Sequence, residues 1–367
     1  MSGGDETIPL YVQCNPLLDV IVDVDEDFLK EYELEKDCAY VYTPRYRPLF
    51  ETILKHSSLH ACPGGSGLHT ARVAQWMWQH VLSKTTGHVM YVGCIGKDKY
   101  GETIRASAVE DGVTMELEVS NTLPSGLCAV CKVGDARTLI ANVSSASALS
   151  DDFIASATVE QGQCSASIIY TTAYANVCRV QQTLRLMASA RARRLPNGAK
   201  QLTAMGLSNR KVLEEFGEDL VDVLEKLDII IGNEEEMSDL AMMLQWVPTD
   251  MTDLELVKKI ATEMMYDRHS VRLVVMTRGL KPIVYATGEG LVKEVAVLPK
   301  TPTKDKLKTT GAGDAFAGGF LAAFVADPNH LEYCCQMGAR AATYVINHNI
   351  QQLPTDAEAI KEVRGSV

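Results

Sequence analysis

Five short apolar runs, most rich in β-branched residues and each ending at a polar residue or glycine, limit what this chain can fold into more than any other feature. They are LYVQCN (Leu10–Asn15), HVMYVGCIG (His88–Gly96), SIIYTT (Ser167–Thr172), LDIIIGNEEE (Leu227–Glu236) and RLVVMTRG (Arg272–Gly279). Stretches of helical character separate most of them, among them Thr70–Leu82, Lys211–Leu227 and Leu254–Tyr266. Strands with unbroken apolar character are buried on both faces, and intervening helices supply the cover. The pattern predicts an α/β fold with a mostly parallel central sheet. Such sheets bind ligands beyond the carboxyl ends of their strands, where Asn15, Asn233 and Thr277 stand.

Two segments break the rhythm. Residues 17–63 read as extended pieces around the acidic run Asp23–Asp27, and residues 113–143 alternate in strand fashion around Pro124–Gly126 and Gly134–Asp135. Together they can form a small antiparallel sheet, either a lid over the strand-end cleft or a decorative insertion. The expected organisation is a large domain from 1–16, 64–112 and 144–367, the last part holding the active site, with lid excursions at 17–63 and 113–143.

A formal net charge of −12 disfavours a broad nucleic-acid-binding face and favours small-molecule chemistry. The apolar runs are short of a membrane span, and the beginning MSGGDETIPL has neither the basic nor the apolar part of a secretory signal. Ten cysteines, mostly inside apolar segments, suit a reducing compartment, and the expectation is a cytoplasmic monomer without membrane contact. Cys128 and Cys131 form a lone CxxC, and three-residue spacing on a strand sends the thiols to opposite faces, against a metal or redox role. His56 and His60 have helical spacing but no acid between them and read as surface residues, while Arg191–Arg194 reads as a solvated helix end.

Two glycine-rich stretches carry the chemistry. KTTGAGDAFAGGF (Lys308–Phe320) reads either as a turn entering a helix with Asp314 as a first-turn acid, or as an anion hole at a helix N-terminus with a general base inside it. PGGSGLHTARVAQW (Pro63–Trp76) is a helix cap or a binding loop, with Leu68, Ala71, Ala74 and Trp78 on one face. A Walker A loop is absent, because GKDKYGET carries Glu102 where the lysine belongs, and the dinucleotide fingerprint fails at Phe316.

In order along the chain, CNPLLDV, GGSGLHTARVAQWM, YVGCIGKDKYGE, SGLCAVCKVGDARTLIAN and TTGAGDAFAGGF resemble the ribokinase family of carbohydrate and nucleoside kinases, and within it the adenosine kinases, particularly protozoan ones. The resemblance implies a three-layer α/β fold with a small β-rich lid, and transfer of a phosphoryl group from ATP to the 5′-hydroxyl of adenosine in purine salvage. It further implies that the backbone of Gly311, Ala312 and Gly313 holds the phosphoryl while Asp314 takes the hydroxyl proton. By the same resemblance Asn15, Asp19, Gly65, Ser66 and His69 meet the nucleoside, and Asn233 and Glu236 arrange Mg²⁺ through waters. Arg137 reaches the phosphates from the lid, and Thr277 and Gly279 line the ATP side. The chain departs from the family at Lys308, where an aspartate that helps hold a monovalent cation is usual, and at His69, where asparagine is usual. Further departures are TAMGLSN (Thr203–Asn209) and Ala173–Tyr174–Ala175 along the base pocket. They leave open a kinase for another nucleoside or sugar, and a silent nucleoside-binding relative.

Overall fold

A computed structural model describes residues 8–208, 220–264, 272–297, 311–348 and 353–365. The described strands are β1 (Ile8–Gln13), β2 (Leu17–Asp23), β3 (Ala39–Val41), β4 (His60–Gly64), β5 (Met90–Gly96), β6 (Thr114–Ser120), β7 (Gly126–Val133), β8 (Ala136–Asn142), β9 (Ala166–Thr172), β10 (Leu202–Gly206), β11 (Ile229–Asn233), β12 (Leu273–Arg278), β13 (Lys281–Thr287) and β14 (Val292–Val295). They form a large sheet in the order β14-β13-β12-β11-β10-β9-β1-β5-β6 and a small one in the order β3-β8-β7-β2-β4. The large sheet is parallel from β6 through β12 and closes with two antiparallel strands, β13 and β14.

The alternation of side chains explains why these strands read as continuous apolar runs. Val12, Ile168, Ile229, Ile231, Leu273 and Val275 enter one core, with the helices Ser66–Trp76, Ala312–Ala326 and Leu331–His348. Tyr11, Ile169, Ile230, Val274 and Met276 enter the other, against the helices Ala173–Ala192, Glu234–Met243 and Asp253–Glu263. Both faces are covered, so the strand positions are mostly apolar.

The small sheet draws on both irregular segments, but not with the expected boundaries. β6 pairs in parallel register with β5 at the edge of the large sheet, so residues 113–120 stay with the large domain and the second excursion enters the small sheet only at Gly126. The small sheet is also mixed rather than antiparallel, since β2 runs parallel to β7 and β3 to β8. Cys128 and Cys131 do face opposite sides, in separate apolar clusters. His60 lies on β4 and not on a helix with His56. Arg191 does not simply solvate a helix end, because its guanidinium lies 3.4 Å from the buried carboxylate of Asp228.

Asp98 ties the two sheets together. It caps the helix Lys99–Glu110 through the N–H groups of Tyr100 and Gly101, and accepts from both the N–H and the hydroxyl of Ser125, just before β7. Gly96, at the end of β5, donates to the same hydroxyl.

Candidate active site

The helix Ala312–Ala326 begins at Gly311, whose backbone is left-handed at φ 81°, and no side chain caps it. The first N–H groups of a helix have no intrahelical acceptor and carry the positive end of its dipole. Among the described residues a Cβ added at Gly313 would meet nothing within 4 Å, so the space beside this glycine is open on their side. The second glycine pair does different work. A Cβ on Gly318 would approach the Thr70 carbonyl oxygen to 2.7 Å, and one on Gly319 would approach that of Met337 to 2.9 Å. Gly318 and Gly319 therefore let this helix press against Ser66–Trp76 and Leu331–His348, which fixes where its first turn points. The same pressure explains why Gly67–Trp76 is buried at every position, and not only along the expected stripe.

Asp314 lies in that first turn and accepts a hydrogen bond from the Ser66 hydroxyl at 2.5 Å. Burial pushes its carboxyl above the ordinary aspartate range; the imidazole of His69 and the Ser66 hydrogen bond pull it back, and the charge of Asp19 raises it further. Asp19, on β2, reaches the same region from the small sheet. Its carboxylate lies over Gly64, where a Cβ would come within 2.0 Å of Oδ1. His69 Nε2 is 3.6 Å from Asp19 Oδ2, and its buried Nδ1 has no hydrogen-bond partner among the described residues. Gly65 takes φ 94°, and a Cβ there would strike the Asn15 carbonyl oxygen at 2.5 Å. The double glycine thus brings β4 close to Asn15 and Asp19 together.

Asn233 and Glu236 form a reciprocal capping box. The Asn233 side chain accepts from the Glu236 N–H at 2.9 Å, and Glu236 Oε2 accepts from the Asn233 N–H at 3.0 Å. Burial pushes the Glu236 carboxyl up to about 7, the Asn233 N–H lowers it, and the charge of Asp314 raises it. Thr277 sits beside Asn233 in the register of β11 and β12, and Gly279 follows with φ 59° and, among the described residues, nothing within 4 Å of where a side chain would begin. Tyr170, buried in β9, is in the field of both Asp314 and Glu236. These residues come from strands of both sheets and from the starts of three helices, Ser66–Trp76, Glu234–Met243 and Ala312–Ala326.

A divalent cation fits this arrangement as an outer-sphere guest. Among the described residues no three His, Cys, Asp or Glu side chains gather to hold a metal directly. The capping box uses Glu236 Oε2, and the Glu236 carboxyl lies in the field of a second half-buried carboxyl, Asp314. Such a field suits a hard cation that keeps its waters and takes further ligands from phosphates.

Two predicted residues stand apart. Arg137 lies on β8, where its backbone N–H donates to Asp37, and no ion pair among the described residues joins its guanidinium to the Asp314 group. Lys308 lies outside the described residues. One residue escaped the sequence reading. Arg179 is buried and donates to Asn15 Oδ1 at 2.7 Å across 164 positions of chain. No motif marks it, because the contact exists only once β1 and the helix Ala173–Ala192 are packed.

Comparison with known proteins identifies the family and the fold. The model of the pfkB family carbohydrate kinases matches residues 38–357. The chain is 30% identical to adenosine kinase 2 of Arabidopsis thaliana, over 91% of this chain and 92% of that protein. Its structure is similar to that of Trypanosoma brucei brucei adenosine kinase, with TM-score 0.80, 35% identity and coverage of 93% and 99% of the two chains. It is also similar to Anopheles gambiae adenosine kinase in complex with P1,P4-di(adenosine-5) tetraphosphate, with TM-score 0.81, 27% identity and coverage of 95% and 99%.

Proposed function

The chain belongs to the pfkB family of carbohydrate kinases, and on that premise we propose that it is an ATP-dependent adenosine kinase, phosphorylating the ribose 5′-hydroxyl to give AMP. One observation carries the reading: a half-buried carboxylate, Asp314, stands in the first turn of an uncapped helix beside Gly313, where among the described residues a side chain would meet nothing. Phosphoryl transfer needs positioning and charge neutralisation more than covalent help. The N–H groups of Gly311, Ala312 and Gly313 stabilise the transferring phosphoryl without intervening side chains. Asp314 accepts the 5′-hydroxyl proton, a contribution of roughly 10²–10⁴-fold.

Asp19 accepts from the ribose hydroxyls, with Asn15, Gly65, Ser66 and His69 around the sugar. Glu236 and Asn233 hold Mg²⁺ through waters, and the ion, when bound, neutralises phosphate charge. Thr277 and Gly279 border the ATP side. The small sheet acts as a lid that brings Arg137 to the phosphates and excludes water. Asp98 and Ser125 supply its hinge, because they join β5 of the large sheet to β7 of the small one.

The test is ADP release from ATP over a panel of adenosine, other nucleosides and free sugars. Adenosine should have the highest kcat/KM. A sugar or another nucleoside ahead of it would move the assignment within the family, and His69 beside Asp19 marks where the preference would have changed. No turnover on the panel, with nucleoside binding intact, would leave a silent binding protein.

A further inference from the structure

We infer that Arg179 is a positioning residue that sets the hydrogen-bonding polarity of Asn15, so that Asn15 presents a donor to the ligand. The nucleoside reading above supplies only the identity of that ligand.

The helix Ala173–Ala192 breaks at Arg179, whose backbone takes φ −146° and ψ 37°. From this break the guanidinium makes two hydrogen bonds, Nη2 to Asn15 Oδ1 at 2.7 Å and Nη1 to the Ala146 carbonyl at 2.6 Å. Asn15 is held from its other side as well, because its Nδ2 donates to the Tyr174 carbonyl at 3.2 Å. Rotating the amide by half a turn would set N–H against N–H at Arg179 and oxygen against oxygen at Tyr174. Asn15 is 4% exposed and Arg179 8% exposed, so water cannot repair either mismatch. The amide therefore has one stable orientation.

The surroundings of Arg179 indicate positioning and not ion pairing. Among the described residues no carboxylate forms a salt bridge with it, and its guanidinium donates to an amide oxygen and a backbone carbonyl. A structural arginine in such a place ordinarily pairs with an acid, because an uncompensated buried cation is costly. Here a neutral asparagine is retained, and its second Nδ2 proton remains for a ligand. A sugar hydroxyl both donates and accepts. With Asp19 able only to accept once ionised, a donor at Asn15 completes the pairing from the second side.

The experiment has two arms. In ligand-free protein labelled with ¹⁵N, solvent exchange of the Asn15 side-chain amide is measured, assigned by its loss in Asn15→Ala. Arg179→Met should speed that exchange about tenfold, as expected for removal of one charged hydrogen bond. In the kinetic arm, Arg179→Met should raise KM for the nucleoside about tenfold with kcat changed less than about threefold. Arg179→Lys, which keeps a cationic donor without the fork, should recover part of the loss. In the Asn15→Ala background, removal of Arg179 should add nothing further to KM. Unchanged amide exchange in Arg179→Met, or losses in KM that add independently in the double variant, would overturn the inference. If Arg179→Met does not fold, Arg179→Lys is read in both arms at smaller amplitude. If the wild-type protein does not phosphorylate adenosine, the nucleoside reading falls alone and the amide exchange still decides the role of Arg179.

Discussion

Ser66 Oγ donates a 2.5 Å hydrogen bond to Asp314 Oδ1, joining the first turns of two helices that lie 248 residues apart. The contact needs Gly318 to seat one helix on the other, since any Cβ there would press into the backbone at Thr70. The hydroxyl favours the ionised carboxylate while burial opposes it. The carboxylate is thus aimed by the first residue of the helix that Gly65 precedes.

Asp314→Asn keeps the shape and removes the proton acceptor. Turnover should fall by about 10²- to 10⁴-fold with nucleoside affinity nearly unchanged. A variant retaining more than about a tenth of wild-type kcat would remove the general-base assignment.

Gly313→Ala separates folding from function. Its Cβ meets nothing among the described residues, so the melting temperature should hold or rise, in keeping with the ~0.4–1 kcal/mol that Gly→Ala contributes at compatible sites. On the proposed function the same methyl would crowd the phosphoryl, and kcat should drop steeply. Normal turnover in this variant would place the phosphoryl elsewhere.

The raised Glu236 carboxyl has a pH consequence of definite sign. Its folded value of about 7 exceeds the unfolded 4.5, so between these the folded protein retains a proton that the unfolded chain has lost. This contribution to stability is fully present below about 4.5 and is lost as pH rises through about 7. Glu236→Gln can keep the capping box, so its melting temperature should fall less than wild type from pH 5 to pH 8. Parallel profiles would remove Glu236 as the cause. Binding of Mg²⁺-ATP at pH 7 should release a proton, read as a dependence of calorimetric enthalpy on the buffer.

The Asp19 clamp bears on substrate choice. Loss of one ribose hydroxyl leaves part of a charged acceptor unpaired, and hydrogen bonds to charged groups are worth ~1.5–3 kcal/mol. Wild-type protein should therefore prefer adenosine over 2′-deoxyadenosine by about 10- to 100-fold in kcat/KM. Asp19→Ala should flatten that preference and slow both substrates. An undiminished preference in the variant would take Asp19 out of ribose recognition.

Much of the fold was legible because the apolar runs had only one compatible arrangement. Strands such as Ile229–Asn233 are apolar on both faces and end in polar residues, and only a covered, mostly parallel sheet uses both properties. The boundary at β6 was not legible. Thr114–Ser120 alternates because it is an edge strand of the large sheet, and alternation alone cannot say to which sheet a half-exposed strand belongs. Asn233 and Glu236 were likewise visible as a pair, but their reciprocal bonds are a capping box, which any helix start can use.

The sequence by itself determined the local chemistry: Gly311 and Gly313 free a helix N-terminus, Asp314 follows them, and Gly64–Gly65 permits a close approach of backbones. Those properties depend on neighbours along the chain and survive in any packing. Only the tertiary structure decided that Ser66 would aim Asp314, that Asp19 would lie over Gly64 beside His69, and that Arg179 would hold Asn15. Each is a short-range directional contact between distant segments, so it depends on how helices and sheets seat against one another, which no local pattern encodes.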